Sequence, residues 1–80
     1  MSRGIDYKPT AEELSTISLY GRAMAYFLQE GGMESVFMVF IRMNRLQKIN
    51  YCYHIEKLAY DDVPWAKKVL AKATLLRLQS

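Results

Sequence analysis

Val36-Phe37-Met38-Val39-Phe40-Ile41 opens a stretch that carries no glycine or proline between Gly32 and Pro64, and the reading of that stretch decides the fold. A segment apolar in every direction has no polar face to turn to water. It belongs at the centre of a core or in a contact surface. Positions 36, 39, 43, 46, 50, 53, 57 and 60 follow a three-four rhythm and read Val, Val, Met, Leu, Asn, Tyr, Lys, Tyr, which favours one long helix over 33–60 with a bend near Asn50. The competing reading is a hairpin over 36–43 and 48–56, because Ile49, Tyr51, Tyr53 and Ile55 alternate with Asn50, Cys52, His54 and Glu56. That hairpin has to turn without glycine, at Asn44, among residues that favour helix, and an isolated two-stranded hairpin is marginal.

Helix 1 is marked by Thr10-Ala11-Glu12-Glu13, a capping box in which the Thr10 hydroxyl and the Glu13 carboxylate satisfy each other's backbone amides. Leu14, Ile17, Gly21, Met24 and Leu28 then recur at helical spacing up to Gly31-Gly32, so the helix is expected over 11–30 with a tight reversal after it. Gly21 inside that stripe costs up to about 1 kcal/mol relative to alanine and suggests close approach of another backbone. The third helix, 62–79, starts at Asp61-Asp62-Val63-Pro64, with an aspartate as N-cap and the proline in its first turn. Its stripe is Ala66, Val69, Ala73 and Leu76, widened by Leu70 and flanked by Lys67, Lys68 and Lys72.

The expected architecture is therefore all-α: a compact bundle of about three helices in one small domain over 10–80, preceded by a flexible arm over 1–9 with Ile5 and Tyr7 as its candidate anchors. The alternative is α+β, the hairpin flanked by two helices. Eighty residues bury only about 60% of the surface of the unfolded chain, so a domain of this size needs a staple. Cys52 is the single cysteine and His54 the single histidine. No internal disulfide follows from one thiol, and no metal or other cofactor is expected. Self-association is the staple that remains. The first residues lack the apolar run of a secretory signal and no run reaches the ~20 residues that span a bilayer, so the expectation is a cytoplasmic chain with no membrane partner.

Catalysis has thin support in the residues. On a helix Cys52 and His54 point about 200° apart, which denies them the geometry of a nucleophile and its base. Glu12-Glu13 and Asp61-Asp62 suit helix N-termini, and there is no glycine-rich phosphate loop, zinc signature or nucleophile elbow. The chain is expected not to be an enzyme. Six Tyr, three Phe, one Trp and five Met exceed what a three-helix core encloses, and these types, with arginine, are enriched in protein contact surfaces.

The functional expectation is a small protein-protein interaction module, an adaptor, regulator or inhibitor, that binds a second copy of itself and a larger protein. Its expected contact residues are Tyr20, Tyr26, Phe37, Phe40 and Ile41 as anchors, with Arg42 and Arg45 at the rim. The alternative is a basic nucleic-acid-binding regulator. It would use a ridge of Arg42, Arg45 and Lys48 with Tyr51 beside it, in a chain of net charge +3.

Overall fold

The computed structural model describes residues 7–79 and is helical in four segments: α1 (Ala11–Gln29), α2 (Glu34–Ile41), α3 (Arg45–Tyr60) and α4 (Pro64–Leu78). The first six residues of the expected 1–9 arm lie outside the described residues, but Tyr7 is docked, its hydroxyl donating to Glu13 Oε1 at 3.0 Å. Glu13 completes the capping box at the start of α1: its own amide donates to Thr10 Oγ1 at 3.1 Å, and the Thr10 amide donates to Glu13 Oε1 at 3.0 Å.

The long central stretch departs from the expected single helix, and the described residues form four helices rather than about three. It breaks at Arg42-Met43-Asn44, not at Asn50, because Asn44 forms a second capping box with Gln47, both bonds at 2.9 Å. Asparagine followed three residues later by glutamine is a start signal, and here it overrides the helix-favouring residues around it. The hairpin alternative does not form: both its segments are helical, and no strand occurs among the described residues.

Two corners of the same design turn the chain. At the end of α1 the Gly32 amide donates to Phe27 O and the Gly31 amide to Leu28 O, with Gly31 at φ +86°. At the end of α3 the Val63 amide donates to Leu58 O and the Asp62 amide to Ala59 O, with Asp62 at φ +63°. Both are Schellman motifs, which close a helix through one left-handed residue. Asp62 is therefore that left-handed residue rather than an N-cap, and α4 starts at Pro64, with Val63 as its cap and no side-chain bond there.

The core forms where α1, α3 and α4 meet, each packing on the other two. Ala23, Ala59, Ala66 and Ala73 are all buried, and such small side chains let helix axes approach closely. Tyr20, Met24, Ile55, Val69 and Cys52 fill the space between them. The α4 stripe is as expected, with Ala66, Val69 and Ala73 buried and Leu70 and Leu76 packed against the cluster. Two other stripes are shifted. The buried face of α1 is Thr16, Leu19, Tyr20, Ala23 and Met24, not the line through Leu14 and Gly21, because the helix meets neighbours over a wide arc. On α3 the buried residues are Ile49, Cys52, Ile55 and Ala59. The expected line through Asn50, Tyr53, Lys57 and Tyr60 is exposed, since the break at Asn44 resets the helix phase.

Candidate interaction surface

Helix α2 is held differently from the rest. It packs chiefly on α1, enters through Met33 in a left-handed conformation at φ +66°, and has no side-chain N-cap bond. Its sequence ESVFMVFI is almost wholly apolar. Phe40 anchors it: the side chain is 2% exposed and its Cε2 would stand 3.5 Å from a Cβ placed on Gly21. Val36 and Phe37 are half-buried against the core. Met38, Val39 and Ile41 are open to solvent, at 38%, 52% and 45%.

The expected contact residues therefore separate. Phe40 and Tyr20, each 2% exposed, are core residues and do not present anchors. Large aromatic side chains fill the space left beside four buried alanines, Ala23, Ala59, Ala66 and Ala73. Tyr26, Ile41, Arg42 and Arg45 are exposed and Phe37 is half-buried. Met38 and Val39 were missed, and the signal for them was the helix phase, since they lie on the side of α2 away from Phe40.

The residues of the expected basic ridge are divided between two helices. Arg42 closes α2, Arg45 opens α3, and Lys48 leans back with its Nζ 5.5 Å from the Phe40 ring centre. Tyr51 is half-buried, its ring tilted against Phe40 at 6.2 Å. The cations that do line a common feature sit along the outer side of α1. A hollow of about 340 Å³ between α1 and α2 is lined by Ser18, Gly21, Arg22, Ala25, Ile41 and Lys48, among others. A second hollow of about 260 Å³ shares Arg22 and Ala25 and adds Tyr26, Gln29, Lys72 and Leu76. Tyr26 and Lys72 continue into a third with Phe27, Lys68 and Leu75. Lys72 is fixed there by its Nζ over the Tyr26 ring at 3.7 Å. No carboxylate is among the residues lining these three hollows.

A small polar set tunes the interior. The Tyr20 hydroxyl donates to Glu56 Oε2 at 2.8 Å, Arg77 Nη2 donates to Thr16 Oγ1 at 3.1 Å, and Thr16 donates to Glu12 O at 3.0 Å. Burial, with help from Glu56, holds the Tyr20 hydroxyl protonated far above its ordinary range. Burial also pushes the Cys52 thiol up to about 12, again with Glu56 adding to the shift. A thiol so placed is not a thiolate at neutral pH and is no nucleophile. His54 is exposed on α3 with its ring 5.9 Å from Tyr51. Among the described residues no three His, Cys, Asp or Glu side chains converge as a metal site, and no helix is long and apolar enough to cross a membrane. No family model, curated protein or solved structure matches the chain.

Proposed function

We propose that the protein is a non-enzymatic protein-protein interaction module whose docking element is α2, and that this face closes first on a second copy of the chain. One observation carries the reading. A helix of eight residues with almost no polar side chain packs chiefly on α1 and leaves Met38, Val39 and Ile41 in water. Such an element gives the core Phe40 and part of Val36 and Phe37, and its remaining apolar groups, displayed on a well-anchored helix, are what association uses. The anchor is Phe40, which orients the outward residues without being available to a partner itself.

Val39→Glu tests this. The side chain is half exposed, so the folded monomer should be unchanged in melting temperature, while a carboxylate in a desolvated contact costs several kcal/mol, enough to dissociate a micromolar dimer worth about 8 kcal/mol. Sedimentation velocity at tens of micromolar should give a dimer for the wild type and a monomer for the variant. A monomeric wild type ends the self-association reading, and a Val39→Glu dimer moves the interface off α2.

A further inference from the structure

The outer side of α1 raises a question that the fold itself leaves open. Gly21 lies within a helix of nineteen residues, where glycine costs up to about 1 kcal/mol relative to alanine. No backbone crosses near it. A Cβ there would meet only the edge of Phe40 at 3.5 Å, an ordinary contact, so the monomer does not require the glycine. Ser18, Gly21 and Ala25 instead line the floor of one hollow beside Ile41 of α2, and Ala25 continues into a second hollow beside Leu76 of α4.

The charged residues lining these hollows are all cations. Arg22 lines the hollow toward α2 with Lys48 and the hollow toward α4 with Lys72, and Lys72 continues into the third with Lys68. None of these four pairs with a carboxylate, the one ion pair among the described residues being Lys67 with Asp62. Clustered cations without counter-charges are costly to hold together and favour an anionic partner. A second copy of this chain would bring the same cations against each other, which disfavours it as occupant. A nucleic-acid backbone would match the cations but leave Ala25, Ile41 and Leu76 without an apolar partner.

We propose that the trough these hollows form seats an acidic amphipathic helix of a partner protein, its small apolar face lying along α1 over Gly21 and Ala25 and its carboxylates meeting Arg22, Lys48 and Lys72. The proposal rests on the reading of the chain as an interaction module; its trough meets the self-association surface of α2 at Ile41, whereas Met38 and Val39 line none of the three hollows. The span from Ser18 to Gln29 is covered by a helix of about twelve residues at 1.5 Å rise per residue.

The probe is a stapled synthetic helix of that length, with alanine and leucine on one face and glutamate elsewhere, titrated by fluorescence anisotropy against the full chain. Its counterpart carries lysine in place of glutamate. The acidic helix should bind saturably and at least about tenfold more tightly than the basic one, and Arg22→Glu with Lys72→Glu should invert that order. Gly21→Ala should raise the melting temperature yet weaken the acidic helix severalfold, a combination that a purely structural role cannot give. No saturable binding of the acidic helix overturns the proposal, as does equal affinity for both helices. Displacement of the acidic helix by a single-stranded oligonucleotide that binds more tightly overturns it in favour of a polyanion site. Val39→Glu separates the two surfaces: it should abolish self-association and leave the acidic helix bound. A wild type that dimerises but ignores the acidic helix loses the trough alone, and a monomer that binds it loses α2 alone.

Discussion

Helices α2 and α4 are both rich in apolar residues, yet they spend them differently. Helix α4 touches both α1 and α3, buries Ala66, Val69 and Ala73, and turns Lys67 and Lys68 to water. Its first three turns match the surface they cover, and the excess is confined to Leu75 and Leu78 at its C-terminal end, which are 46% and 79% exposed. Helix α2 is half as long, packs chiefly on α1, and carries more apolar surface than that contact uses. Hydrophobicity in excess of burial is the part of a small protein's sequence that stability does not explain, and it is where function should be sought.

The comparison breaks most visibly at Phe40. If α2 is anchored through this one side chain, Phe40→Ala should cost about 3–5 kcal/mol of unfolding free energy, the usual range for truncating a buried aromatic. Urea denaturation measures it. A cost under about 1 kcal/mol would mean that α2 is a detachable flap, and the contrast with α4 would become one of order rather than of surface.

Alkaline pH should sharpen the contrast from the other side, by loading the α1–α3–α4 core. Cys52 has an ordinary value of 9.0 and is raised to about 12 in the folded chain, and Tyr20 is raised above its ordinary 10.0. The folded state therefore holds protons that the unfolded chain releases. The stability this contributes is complete below pH 9 and is lost as pH rises from 9 towards about 12. Urea midpoints should fall between pH 8.5 and 10.5, and Cys52→Ala, though less stable at neutral pH, should show a shallower fall. An unchanged slope would remove Cys52 from the titrating core.

The smallest effects belong to the two corners that launch these helices. Gly31, before α2, has φ +86° and open space around its Cα, so Gly31→Ala should destabilise by about 1 kcal/mol through backbone conformation alone. Asp62, before α4, adopts φ +63° without being glycine. Asp62→Gly should stabilise by about 0.5 kcal/mol, the relief of the left-handed strain less a solvent-exposed ion pair with Lys67. Thermal melts of both variants check the signs. If Asp62→Gly destabilised, the Lys67 contact would outweigh the backbone term.

Much of the fold is written in local sequence. The Thr10 capping box, the Gly31-Gly32 reversal, Pro64 in a first turn and the Ala66-Val69-Ala73 stripe all act within a few residues of one another, and each forms where its residues stand. The Asn44-Gln47 capping box is local too, and reading it would have divided the central stretch correctly. An all-round apolar composition hid it, because periodicity gives no phase when every position is apolar.

What the tertiary structure alone decided is which side of each element faces inward, and so which aromatics are core and which are surface. Tyr20 and Phe40 had the chemistry of contact anchors and became core, because alanines at Ala23, Ala59, Ala66 and Ala73 draw the helices together and leave the remaining volume to large rings. Arg22, Lys48 and Lys72 lie far apart in sequence, and Arg22 of α1 shares one hollow with Lys48 of α3 and another with Lys72 of α4 only because the chain folds those helices beside it. Sequence determined the helices, since caps and propensities are short-range; assembly determined the surfaces, since burial and charge juxtaposition depend on residues that the chain brings together only when it closes.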